Sequence, residues 1–232
     1  MQLSLEDRQV GYVTVITCRG RLVLGPEADA LMKRIDELLP VNRRILLHLG
    51  DVEFIDSGGL GLVVRCLTRV QNAAGQLSLC ALSPKVSDVL RITRLDGVLR
   101  PYVAEIDAIA SAHTEADEAD RTTKGPAVLC ADASSDMLAY LRGLLKGSGY
   151  RVVTAQNLYD AAILLKAMRP NVVVVSARLH AMHGTNAADD FHRQTPANGV
   201  VVLPATFSSV DAGEAGTTLL REIQTIVGGS PT

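Results

Sequence analysis

The chain has 232 residues, 47% of them apolar, and carries 23 basic against 25 acidic side chains for a formal net charge of −2. That near balance, with no dense Lys/Arg run, gives no electrostatic ground for a nucleic-acid or membrane-surface partner. No apolar run approaches the roughly 18 residues of a membrane span, and the N-terminus lacks the basic-then-apolar pattern of a signal peptide. Cys18, Cys66, Cys80 and Cys130 show no CxxC spacing and sit in apolar segments. They are expected as buried hydrophobes in a reducing compartment, not as a disulfide framework or a zinc site, and the chain is expected in the cytoplasm.

In chain order, residues 11–23 alternate as a strand, with Tyr12, Val13, Val15, Ile16 and Cys18 set among Thr14 and Thr17. Pro26 opens a helix whose Ala28, Leu31, Ile35 and Leu38 keep helical spacing, and Pro40 ends it. A short buried strand covers 45–49 and a helix about 59–73, which Gly75 stops. Residues 77–82 read as a strand, and Pro84 opens a helix with Val86, Val89, Leu90 and Ile92 on one face. This alternation indicates an α/β domain over 1–110.

The run 111–126 is polar, acid-rich and aperiodic and closes on Gly125-Pro126, so it reads as a linker. A second domain over 127–232 repeats the style. Strands are expected at 128–131, 152–154, 172–175 and 200–203, and helices at 135–146, 159–168 and 217–227. That order belongs to a doubly wound sheet. The segment 204–217 is too short for a further helix, strand and loop, which allows a sheet that ends at its fourth strand.

The most informative segment is Phe54-Ile55-Asp56-Ser57-Gly58-Gly59-Leu60-Gly61. An apolar strand end runs into two good N-cap residues and then a helix, which places Asp56 and Ser57 beside the orphan amides of a first helical turn. Three glycines within four positions strip side-chain bulk, so a partner is expected to approach across Asp56, Ser57, Gly58, Gly59 and Leu60. Phosphorylation of Ser57 adds about −1.5 to −2 charges. A helix N-terminus tolerates that charge internally, whereas a partner docked on a neutral hydroxyl beside Asp56 is repelled. An isolated Asp-Ser-Gly-Gly is also what an ordinary capped turn shows. A nucleophilic serine elbow requires Gly-x-Ser-x-Gly, but position 55 is Ile and His48, in a core strand, is no evident base, so no catalytic residue is assigned.

Context around this turn adds to it. Residues 45–99 run through the strand Ile45-Leu46-Leu47-His48-Leu49, the segment from Gly50-Asp51 through Asp56-Ser57-Gly58-Gly59, the helix and Gly75, Ser83-Pro84-Lys85-Val86, and Leu90-Arg91-Ile92-Thr93-Arg94-Leu95-Asp96. In order and spacing this resembles the STAS-domain anti-anti-sigma factors, over roughly the first 110 residues. The resemblance implies a mixed sheet packed with helices. It also implies Ser57 as the residue an anti-sigma serine kinase phosphorylates, and binding of the anti-sigma factor when Ser57 is unmodified. Three features depart from the family pattern: Gly58 replaces a usual Ser or Thr, His48 a usual Asp, and Arg21-Leu22-Val23-Leu24 the usual Gly-Glu-Leu-Asp-like turn.

The second half, through Val128-Leu129-Cys130-Ala131-Asp132, Gly149-Tyr150-Arg151-Val152 and Arg169-Pro170-Asn171 to Ser176, with Met182-His183-Gly184 beyond, resembles response-regulator receiver domains. The resemblance implies a flavodoxin-like fold. Aspartyl phosphorylation needs a carboxylate nucleophile, an acidic pair for Mg²⁺, a hydroxyl and a lysine. Here Ser176 stands at the nucleophile position, Asp132 is followed by Ala133, Pro204 follows Leu203, and no lysine occurs after Lys166. The site around Asp132 and Ser176 is therefore expected to be degenerate, and the domain to serve docking or homodimerisation. His180, His183 and His192 have unspecific spacing and are read as loop histidines, with no metal and no cofactor called for. A competing reading is a STAS scaffold or accessory subunit, stressosome-like or transporter-associated, without a phosphoserine switch. The Asp-Ser pair, which transporter-linked STAS domains often lack, favours the switch.

Overall fold

A computed structural model describes residues 2–119, 125–195, 199–207 and 212–228. The chain divides into two compact units, Met1–Ala112 and His113–Thr232.

In the first unit β1 (Ser4–Val10) and β2 (Val13–Leu22) form an antiparallel hairpin, followed by α1 (Pro26–Leu38), β3 (Arg44–Ile55), α2 (Ser57–Asn72) and β4 (Gln76–Cys80). Then come α3 (Pro84–Ile92), the short α4 (Asp96–Leu99) and α5 (Glu105–Ala119), of which the part up to Ala112 belongs to this unit. The sheet order is β1-β2-β3-β4, with β2-β3 and β3-β4 parallel, so the sheet is mixed as expected. The strand expected over 11–23 is the second arm of the hairpin. Its first arm, SLEDRQV, buries only Val10, and its polar residues hid it.

Alternation along the strands sends side chains to two faces. Ile16, Cys18, Ile45, Leu47, Leu49, Leu77 and Leu79 meet Leu31 and Ile35 of α1, Leu62, Val63, Cys66 and Val70 of α2, and Val86 and Leu90 of α3 in one core. The opposite face is covered by α5. Ala108 and Ala112 share a narrow crevice with residues of β2, β3 and β4, including Val13, Leu46 and Ser78, and Ile109 is fully buried. Glu105 pairs with Arg8 of β1, and Tyr102, bridged to Cys80, donates its hydroxyl to Ser111 Oγ at 2.8 Å. The expected linker is therefore corrected in part, because residues 111–119 are the later turns of α5. Reading from Ser111 onward separates them from Ile106, Ala108 and Ile109, which make the apolar face. An alanine-rich composition then favours the helix. Residues 120–124 lie outside the described residues.

In the second unit β5 (Ala127–Ala131), β6 (Arg151–Ala155), β7 (Val172–Ser176) and β8 (Val200–Leu203) form an all-parallel sheet of order β6-β5-β7-β8. The helices are α6 (Ser135–Gly147), α7 (Leu158–Met168), α8 (Ala177–His180), α9 (Asn186–Gln194) and α10 (Ala212–Gly228). Side chains of Ser134, Asn157 and Thr185 cap α6, α7 and α9 by accepting from amides three residues on. Among the described residues the sheet ends at β8, in keeping with the short segment that follows it. All four cysteines are free and buried, and burial pushes each thiol up to about 12, which makes them inert packing groups.

Because α5 closes the second face of the first sheet, Ile109→Ala is expected to lower unfolding stability by about 2–5 kcal/mol, measured by urea denaturation. An unchanged midpoint would mean that α5 does not pack there.

Candidate functional site

The strand β3 is longer than its apolar core of 45–49, running to Ile55, where its end pairs with β2 through Leu22 and Ile55. The chain then turns into α2 at Asp56, an extended residue (φ −107, ψ −178) whose carboxylate Oδ1 accepts the Gly59 amide at 2.7 Å. Its carbonyl accepts the Leu60 amide at 2.9 Å. Asp56 alone is the N-cap, and Ser57 is the first residue of the helix, with its side chain exposed. The first turn of α2 carries no acidic side chain of its own, so the dipole at this end is answered only by the cap.

The glycines do different work from that expected. A Cβ on Gly59 would lie 1.9 Å from the Leu22 carbonyl oxygen, and one on Gly58 would lie 2.6 Å from Leu24 Cβ. Both absences of side chain let the helix start close against the end of β2 and the residues just after it, inside the unit. Of these three glycines, Gly61 alone has open space at its Cβ position. Leu60 is buried in the core and Gly59 is buried as well. The expected partner-facing run is therefore corrected: Ser57 is exposed, Asp56 and Gly58 are half-buried, and Gly59 and Leu60 face inward. Sequence spacing could not reveal this, since the close approach is to a segment more than thirty residues away.

The outer face of α2 carries Ser57, Gly61 and Arg65, spaced four residues apart, all exposed. Two exposed apolar side chains frame its start. Leu24 lies against Gly58, and Phe54, two residues before the cap, has Arg21 stacked over its ring at 4.6 Å. In the sequence Arg21 and Leu24 stand out only as part of a turn that departs from the family pattern, and Phe54 only as a strand end, because no local pattern ties the residues after β2 to this turn. His48 sits in β3, beside Thr17 and Cys80 on the flanking strands, and its ring lies against Gly50, away from the Ser57 turn in sequence and strand register.

In the second unit the register sets Ala131 beside Val175 and Ser176 beside Leu203, so Asp132, Ser176 and Pro204 fall at the carboxyl ends of three adjacent strands. That edge, at the switch point of a doubly wound sheet, is where such folds place their chemistry. Asp132 Oδ1 is engaged by the Ser134 amide at 2.7 Å, and Ser176 is the N-cap of α8 without a side-chain capping bond. Thr206 stands exposed in a turn closed by the Phe207 amide on the Pro204 carbonyl at 2.9 Å. The three histidines are not separate loop residues: His183 stacks on His192 with centroids 4.7 Å apart, and His180 meets His192 edge-on at 5.2 Å. Among the described residues no three His, Cys, Asp or Glu side chains are arranged to hold a metal ion, and no helix is long and apolar enough to cross a membrane.

The roles of Gly59 and Gly61 can be separated by substitution. Gly59→Ala is expected to cost about 1–3 kcal/mol or more in chemical denaturation, through overlap with the Leu22 carbonyl. Gly61→Ala, in open space on a helix, is expected to raise stability by about 0.5–1 kcal/mol. Equal effects would contradict the close approach.

Residues 4–109 match the STAS domain family and residues 128–223 the response regulator receiver domain family. A protein of Thermotoga neapolitana, provisionally named an anti-sigma factor antagonist, is 42% identical over 59 residues, which is 25% of this chain and 52% of that protein. The chain thus spans about half the length of this curated relative. The anti-sigma F factor antagonist of Paenibacillus polymyxa is 24% identical over 111 residues, 47% of this chain and 94% of that protein. Among solved structures, that of a provisionally named anti-sigma factor antagonist from Thermotoga maritima has 29% sequence identity and a TM-score of 0.43, covering 46% of this chain and 92% of that one. The chain therefore carries a STAS domain over residues 4–109, of the kind found in proteins named anti-sigma factor antagonists, followed by a response regulator receiver domain over residues 128–223.

Proposed function

We propose that the protein is an anti-sigma factor antagonist that works by partner switching: it binds an anti-sigma factor with serine kinase activity while Ser57 is unmodified and releases it once Ser57 is phosphorylated. The observation that carries this reading is the position of Ser57. It is exposed at the first residue of α2, while the residues that follow it, Gly59 and Leu60, are locked inward. A phosphate there changes the outer surface without displacing a packed group. The local amides and the helix dipole offset part of its charge within the fold. A partner seated over Leu24, Phe54 and the Ser57 hydroxyl instead meets about two negative charges beside Asp56. Binding is lost and the fold remains.

The receiver-type unit acts in this reading as a docking or dimerisation module, not as a phosphotransfer domain. Ser176 has no carboxylate to form an acyl phosphate. Asp132 is left without an adjacent acidic residue, since Ala133 follows it. The protein itself is then a kinase substrate and a regulator, acting in the cytoplasm where sigma factors and ATP are found.

The test pairs the chain with anti-sigma kinases from the same genome and ATP, and locates phosphate by mass spectrometry. Modification is expected at Ser57 and is expected to vanish in Ser57→Ala, which keeps binding, while Ser57→Asp loses at least about tenfold in affinity, or 1.4 kcal/mol. If Ser57 is never modified and neither substitution alters binding, the chain is a STAS scaffold without this switch. For the second unit, Mg²⁺ with beryllofluoride, a phosphoaspartate mimic, is expected to leave its NMR spectrum unchanged. Shifts centred on Asp132 and Ser176 would contradict the docking role.

A further inference from the structure

The histidine cluster stands apart from the Ser57 reading and is assigned to no role by it. His180 ends α8, His183 lies in the following loop and His192 sits on α9, so the three rings join the two ends of the α8–α9 hairpin. His192 stacks on His183 and also contacts Phe191, with centroids 5.4 Å apart. Its Nε2 lies 3.2 Å from the Met182 carbonyl, a contact that puts the ring proton on Nε2. His180 Nδ1 is buried with no hydrogen-bond partner. A stack of this kind is favourable between neutral imidazoles, and two or three imidazolium charges at these separations repel.

Among the described residues no carboxylate is paired with these rings. On α8 the other ionisable side chain is Arg178, of the same sign. On α9, Asp190 is taken by Arg193 at 3.1 Å, and Asp189 is exposed. On α7, which packs against α9, the ionisable groups are Tyr159, Asp160 and Lys166, with Asp160 buried in a reciprocal cap with Asn157. The strands β7 and β8, against which α8 packs, contribute no ionisable side chain. Burial first, and then the charges of His192 and His183, hold His180 below its ordinary range.

We propose that the cluster of His180, His183 and His192 is an acid-sensitive latch, in which the neutral His180 ring, packed against the other two, holds the α8–α9 hairpin closed and its protonation releases it. Because α8 begins directly after Ser176, release of the hairpin alters the carboxyl edge of the sheet that carries Asp132 and Ser176. The sign follows from linkage. A histidine held low in the folded state gives its full stability above the unfolded value of about 6.5, and that stability is lost as pH falls below it.

Hydrogen–deuterium exchange of the full chain at pH 7.5 and 5.5, corrected for intrinsic rates, tests the latch. Peptides covering 177–194 are expected to exchange several-fold faster at the lower pH, while those of β2 and β3 in the first unit serve as internal controls. His183→Gln, at an exposed position, and His192→Gln are expected to flatten that dependence. The proposal is overturned if protection of 177–194 is the same at both pH values, or if its pH dependence survives both substitutions. It is also overturned if Zn²⁺ raises protection at pH 7.5 in a chelator-reversible way, since the rings would then be metal ligands. None of these outcomes bears on Ser57.

Discussion

The first unit depends on how closely α2 begins against the end of β2. The Asp56 carboxylate holds the Gly59 amide, and Gly59 sits where any Cβ would strike the Leu22 carbonyl. An N-cap of this kind stabilises a helix by about 1 kcal/mol, but its larger effect here is positional. It fixes which residue is first in the helix, and hence the register of all that follow. Leu62, Val63, Cys66 and Val70 then enter the core, while Ser57, Gly61 and Arg65 are left outside. A hydroxyl set at the first helical position by a rigid cap is accessible to an enzyme yet uncoupled from the packing below it. That is the physical basis for reading a modification there as a change of surface.

The second unit shows the reverse relation between fold and chemistry. Its parallel sheet, its order β6-β5-β7-β8 and the convergence of strand ends at Asp132 and Ser176 are those of a domain that can host a site at its carboxyl edge. At those positions the sequence carries Asp132 followed by Ala133, Ser176, and Pro204. Backbone architecture and reactive side chains are separable, and the fold of this unit rests on a core of Val128, Val152, Val172 and Val174 with Leu141 and Leu145.

Much of this was legible in the sequence, for identifiable reasons. Helices α1, α3 and α6 announce themselves through Pro26, Pro84 and Ser134-Ser135 at their starts and through apolar spacing, and the valine run of β7 suits a strand buried on both sides. The turn at Asp56-Ser57 was legible because strand end, cap and helix are contiguous. What stayed hidden depends on contacts distant in sequence. The inward role of Gly58 and Gly59 comes from Leu22 and Leu24, the packing of Ala108 and Ala112 from the back of a sheet built by β2, β3 and β4, and the meeting of His180, His183 and His192 from a helical hairpin. β1 escaped because six of its seven residues, SLEDRQ, are not fully buried and show no apolar stripe.

The most direct measurement is a titration calorimetry comparison of the full chain, unmodified and stoichiometrically phosphorylated at Ser57, against its cognate anti-sigma factor, with circular dichroism of both forms. The expected result is a loss of at least about tenfold in affinity on phosphorylation, with superimposable spectra. Equal affinities, or a phosphorylated form that has lost its folded signal, would contradict a surface switch built on an undisturbed helix start.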